Sequence, residues 1–260
     1  MKNQIELFFK GLKSYKQGFK FLVKNKLLYF FLFPIAFNFL IYFSGLSVLN
    51  NISIYINEYF EIYLQSFGAS KDWWILSLNK FFSLSIWVVS KFFFFYIFSL
   101  FGGYITIIFL SPVLTYISEK TASIQKGRIH NFNLTQFIYD IFRAILISVR
   151  NILLQFSMVF VLFLIGLIPI IGWGISILGN LLIVSYFYGF SFLDYTNERH
   201  QLSIKESVKS VRRNKGLAVG LGLVFYICFF IPLLGGFISS FLAIISVVAA
   251  TISLEETFDN

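Results

Sequence analysis

Two uncharged apolar stretches of the same design occupy the C-terminal half of the chain. Asn151 to Leu193 and Gly216 to Leu254 contain no Asp, Glu, Lys or Arg. Each is interrupted near its middle by Ile-Pro-apolar-apolar-Gly: Ile168-Pro169-Ile170-Ile171-Gly172 in the first, Ile231-Pro232-Leu233-Leu234-Gly235 in the second. About 20 consecutive apolar residues suffice for a helix to cross a bilayer, so lipid is the expected solvent. Proline lacks an amide N–H and glycine permits turn dihedrals, so each motif is expected to end one helix and start an antiparallel partner. The pattern predicts an all-α integral membrane protein with an internal repeat of two Pro-Gly helical hairpins, at 151–193 and 216–254. Composition agrees: 58% hydrophobic and 13% charged residues do not describe a soluble domain.

The N-terminal half reads as an anchor. Lys2, Lys10, Lys13, Lys16, Lys20, Lys24 and Lys26 alternate with Leu7, Phe8, Leu12, Phe19 and Leu22 at helical spacing. This predicts an amphipathic helix over 1–26 on the cytoplasmic membrane surface, its lysines toward acidic headgroups. Residues 27–49 are uncharged and give a first transmembrane helix of about 23 residues. Residues 50–80 set Lys71 and Lys80 against Glu58, Glu61 and Asp72, an external segment by the positive-inside rule, with Trp73, Trp74 and Trp87 as interface anchors. The second transmembrane helix, 81–110, is long enough to tilt. Its Lys91 either snorkels at the outer rim or lines an ion path.

Residues 111–150, with Lys120, Lys126, Arg128, Arg143 and Arg150, are expected as cytoplasmic helices, and 194–215 as a basic cytoplasmic loop. One membrane domain, 1–260, results, with both termini cytoplasmic in a bacterial inner membrane. The hairpins then either span fully, giving six crossings, or enter from the inside and turn back. Arms of about 18 to 21 residues favour crossing. A Pro-Gly turn without charge makes a poor outer loop, yet irregular backbone at membrane depth requires protein or a cavity around it.

Little chemistry is visible. Cys228 stands alone, which excludes an intramolecular disulfide, and no metal or cofactor set is expected; His130 and His200 fall in segments expected to be wet. Nucleotide-binding, zinc-protease and serine-hydrolase signatures are missing, so the chain is not read as an enzyme. Ser111 before Pro112 reads as a local hydrogen-bonding residue at a helix bend. The cations of Lys205 to Lys215 form either a membrane-surface face or a patch for an anion; nucleic acid is not expected, because the patch lies against acidic lipid. Asn180 and Asn38, inside apolar helices, suggest helix-to-helix hydrogen bonds.

In their order, LFPIAFNFLIY, SPVLTYISEK, IPIIG, FLDYTNERHQLSIKES, RRNKG and IPLLG resemble the CysZ/etoposide-induced protein 2.4 family. The pattern is carried by Ser111, Pro112, Glu119, Pro169, Gly172, Asp194, Tyr195, Pro232 and Gly235. The resemblance implies an inner-membrane sulfate permease that supplies cysteine biosynthesis without ATP hydrolysis. It also implies two long membrane helices, two re-entrant hairpins and a homo-oligomer. Sulfate carriers of the family have a Gly-Leu-Arg stretch before the first membrane helix, where backbone N–H groups and a guanidinium cradle the anion. The corresponding residues here are Lys26-Leu27-Leu28-Tyr29, so Lys24 and Lys26 offer point charges without a fork. The family's Asp-Tyr-Pro is Asp194-Tyr195-Thr196. The expectation is a permease for a small inorganic anion such as sulfate, with Lys24 and Lys26 at the entrance and Asn180, Arg212 and Arg213 as further contacts. The alternative is a non-transporting scaffold or stress-related protein of the same fold.

Overall fold

The structure, a computed structural model, describes residues 3–66, 73–127, 134–231 and 235–258. The described residues are almost wholly helical, without a strand, in the order α1 (Gln4–Lys24), a 3-10 turn (Leu28–Phe31), α2 (Leu32–Ser66), α3 (Trp73–Lys126), α4 (Leu134–Gly166), α5 (Ile171–Arg199), α6 (Ile204–Arg213), α7 (Lys215–Phe229) and α8 (Gly235–Phe258). Among them, Leu28–Ile56, Phe142–Gly166, Ile171–Arg199 and Gly235–Thr257 are long and apolar enough to cross a membrane. The chain divides into two compact units, 35–101 and the remainder, each considered by itself.

Unit 35–101 holds the distal parts of α2 and α3. Helix α2 continues to Ser66, through residues expected outside the bilayer, because NISIYINEYFEIYLQS contains neither proline nor glycine to stop it. Lys91 lies 3.4 Å from the centroid of the Trp87 ring, so a cation–π contact holds the ammonium on an interface-type aromatic.

In the larger unit α3 passes Pro112 without ending. A proline leaves the carbonyl four residues back without its donor. That carbonyl is Ile108 O, and Ser111 Oγ donates to it at 2.7 Å. The serine thus repairs the bond that its neighbour removes.

The first hairpin is α4 and α5, and its turn works differently from the expectation. The residue with positive φ is not Gly172 but Ile170, at φ 67° and ψ −69°. Ile171 N donates to Pro169 O at 2.8 Å, which closes a γ-turn of the rare strained hand around a β-branched residue. Such conformations cost on the order of 1–3 kcal/mol. Gly172 is already helical; a Cβ there would strike Ile165 O, so it is needed for close approach, not for turn dihedrals. Gly235 opens α8, its N–H donating to Ile231 O at 2.8 Å, while Pro232 lies outside the described residues.

Helices α5, α7 and α8 form the core, with α1 laid along α7 and α8. The face of α1 made by Leu7, Gly11, Ser14, Tyr15, Gly18 and Leu22 is buried against protein. A helix lying on headgroups has no use for small residues at this spacing; a helix whose backbone approaches another does. Tyr15 Oη donates to Leu221 O at 2.5 Å and meets Ser246 Oγ at 2.7 Å. Burial pushes its phenol well above the ordinary value, so it stays a neutral donor. Lys10 pairs with Glu256 at 2.8 Å, whereas Lys13, Lys16, Lys20, Lys24 and Lys26 are exposed on the other side.

Candidate functional site

The polar chemistry of the larger unit gathers around the C-terminal end of α5. Asp194, Glu198 and Arg199 lie on its last turns, which end in a Schellman arrangement: Leu202 N donates to Asn197 O, Gln201 N to Glu198 O, and Gln201 takes φ 54°. α6 then begins with a capping box, Ser203 Oγ accepting from Glu206 N and the Glu206 carboxylate accepting from Ser203 N at 2.8 Å. Those hydrogen bonds hold the exposed Glu206 carboxyl below its ordinary range. The chain thereby passes from α5 into α6 within a few residues, and α6 packs against α5 and α7.

Two buried ionic clusters result. In the first, Arg143 of α4 forks onto Asp194, Nη1 to Oδ2 at 2.9 Å and Nη2 to Oδ1 at 3.1 Å. Nη1 also reaches Glu198 at 3.5 Å and Nη2 reaches Leu202 O at 3.1 Å. Ser207 of α6 donates to the same Asp194 carboxylate, and Asn197 bridges Ser207 and Ser210. In the second, Glu255 of α8 takes Arg199, His200 Nε2 at 2.9 Å and Lys126 Nζ at 2.5 Å. Arg199 also donates to Ser118 O at 3.1 Å, and Glu119 lies within its electrostatic reach. Low-dielectric surroundings make such pairs strong only when the remaining lone pairs are also satisfied; around Arg143 the Ser207 hydroxyl and the Leu202 carbonyl contribute to that, whereas Glu255 is matched by cations alone.

Two depressions flank α6, and they separate residues that are adjacent in sequence. Arg212 lines an apolar groove of about 700 Å³ together with Lys215. Arg213 lines a polar depression of about 440 Å³ with Lys209, Ser210, Asn214, Thr257 and the acidic Glu206. One residue step turns a helix by about 100°, which is why the neighbours part.

The other expected contacts stand elsewhere. Lys24 ends α1, and Lys26 is the left-handed residue after it, φ 56°, with Leu27 N donating to Leu22 O at 2.9 Å; both lysines are exposed. Asn180 lies about a third of the way along α5, half-buried, and among the described residues its Oδ1 is buried without a hydrogen-bond partner. Tyr195 is buried beside Asp194. His130 and Arg128 lie outside the described residues. The structure therefore joins Asp194 to Arg143 and sets Glu119 near Arg199, but it does not bring Asn180 to the lysines of α1.

Residues 14–239 of 260 match the family described as Sulfate transporter CysZ/Etoposide-induced protein 2.4. The chain belongs to the CysZ/etoposide-induced protein 2.4 family. No individual curated protein matches it. The matched span contains both arms of the first hairpin, the α6 strap and every residue of the Arg143–Asp194 cluster, so that cluster belongs to the family region, while Glu255 of the second cluster lies beyond it. This CysZ-like chain is a multi-pass membrane protein of a transporter family.

Two features of this layer were not read from sequence. Arg143, by sequence a topology-setting cation of the cytoplasmic helices, and Glu255, close to the C-terminal end, are both buried in ion pairs. His200 likewise is not simply solvated but pairs with Glu255. One signal did exist: Arg143 and Asp194 are nearly equidistant from Pro169, so folding a hairpin at that proline brings them level.

Proposed function

We propose that this protein is an inner-membrane permease that moves a small inorganic anion, sulfate first, without ATP hydrolysis. The observation that carries the reading is membership of a family described by sulfate transport over most of the chain. Lys24 and Lys26, exposed at the end of α1 just before the first membrane helix, supply the entrance charge. Lys209 and Arg213 supply a second cationic surface, beside the hydroxyl of Ser210. Asn180 offers a polar group within the bilayer span, whereas Arg212 stands apart from the Lys209–Arg213 surface, on the apolar groove. The termini face the cytoplasm, and copies of the chain assemble so that the hairpins line the path.

Labelled-sulfate uptake into proteoliposomes tests this. Uptake is expected above that of empty vesicles, and K24Q/K26Q is expected to lower the initial rate about tenfold, since two uncompensated charges at a pore mouth set the local anion concentration. Rates equal to empty vesicles across a range of pH would sink the proposal.

The hairpins enter from the inside and turn back. Helix α7 has 15 residues, about 22 Å of rise against a hydrocarbon core of about 30 Å, so this arm is short for a crossing. A single cysteine at Ile171 or Ile231, in a Cys228→Ser background, is expected to resist a membrane-impermeant thiol reagent added outside; fast labelling would mean full crossings. Ile171 is the better probe than Gly172, because its side chain is exposed and Gly172 has no room for one.

A further inference from the structure

The groove that holds Arg212 and Lys215 is of a different kind from an anion path. It runs between α1, α4, α5 and the start of α7, and its wall is Phe8, Met158, Leu182, Ile183 and Val219. Met158 and Leu182 are about half exposed, on helices of membrane-crossing length, so in a bilayer the groove opens toward acyl chains. At one end stand Arg212 and Lys215, both exposed, and among the described residues lining it none is acidic. The backbone there is already engaged: Gln4 accepts from Gly216 N at 2.8 Å and donates to Arg213 O at 3.1 Å. The positive end of the groove is therefore made by the two side chains.

A free sulfate or phosphate on these two cations would exchange hydration on its other side for a wall of hydrocarbon that returns no hydrogen bond, a costly transfer. A neutral lipid would leave two cations unmatched. An apolar trough with a cationic end is complementary to a molecule with an apolar chain and an anionic head. We propose that this groove binds one anionic phospholipid, an acyl chain along Phe8, Met158 and Val219 and the phosphate on Arg212 and Lys215. The same lipid fastens α1 to the α6–α7 junction, because its chain touches the first and its head the second. This inference does not rest on transport and would stand if sulfate uptake failed.

Native mass spectrometry of the full chain in detergent, with equimolar phosphatidylglycerol and phosphatidylcholine added, reads the site directly. Wild-type protein is expected to retain one phosphatidylglycerol with a preference of about tenfold or more, the scale of two cations near one headgroup. R212Q/K215Q is expected to bring the two lipids to within about twofold of each other, while R213Q keeps the preference. V219W, which fills the trough, is expected to reduce retention of both lipids; L182W serves the same end at an exposed position if V219W does not fold. Equal retention of the two lipids by wild-type protein, or a preference that survives R212Q/K215Q, overturns the proposal. Displacement of the lipid by millimolar sodium phosphate or sulfate also overturns it, by showing a free-anion site.

Discussion

Replacing Arg143 by alanine should cost about 3–5 kcal/mol of stability, enough to unfold a marginal membrane protein in detergent. The guanidinium is 5% exposed and holds two carboxylates that are themselves buried, Asp194 bidentately and Glu198 through Nη1. Removing it takes the one guanidinium from two buried acids at once and leaves Asp194 with the Ser207 hydroxyl, so the loss is that of uncompensated buried charge, not of one bond. Arg143→Lys keeps the charge and loses the fork, and it should fall between the alanine variant and wild type. R143L/D194L should recover part of the loss, because an apolar pair of similar volume has no desolvation cost to offset. Thermal unfolding followed by circular dichroism distinguishes these cases. A melting temperature for R143A within about 1 °C of wild type would mean that the pair contributes nothing.

What the sequence disclosed is what periodicity and punctuation can carry. Uncharged runs of membrane length and the Ile-Pro-apolar-apolar-Gly breaks announce an α-helical membrane chain with hairpins, because both signals are local. Element ends are set by competition instead. The α2 helix outlasts its apolar run to Ser66 since nothing in the following residues stops it, and Ser111 carries α3 through a proline that by itself argues for a break. Charge is the least legible. The positive-inside rule counts Arg143 and Arg199 as topology, but it has no means of telling a solvated cation from one that a distant carboxylate takes up. Glu255 finds Arg199, His200 and Lys126 only because α3, α5 and α8 meet there. Arg212 and Arg213 show the same limit at the scale of one residue, a single helical step dividing an apolar groove from a polar depression.

The second large effect is expected at Gly222. Helices α5 and α7 approach through glycines: a Cβ at 222 would strike Ser185 O and one at Gly189 would strike Ala218 O, while Gly216 and Gly220 bring α7 against Gln4 O and Phe8 O of α1. The obstacles are backbone atoms, which have no rotamer to escape into, so Gly222→Ala must separate the helices. Separation loosens the ring cluster beside it, where Phe225 lies 5.0 Å from both Tyr188 and Phe192, all buried. Overpacking costs about 1–3 kcal/mol, and a clash with immobile backbone belongs at the upper end. Gly174 is the control, since a methyl there meets open space, and Gly174→Ala should be neutral or gain up to about 1 kcal/mol from helix propensity. The contrast between two identical substitutions isolates contact from propensity. It also reaches function, because α7 carries the α6 strap with Lys209 and Arg213 at its start: G222A should lose sulfate uptake along with melting temperature, and G174A should lose neither. If both variants melt together with wild type, α5 and α7 do not touch backbone to backbone, and the polar layer is not positioned by that contact.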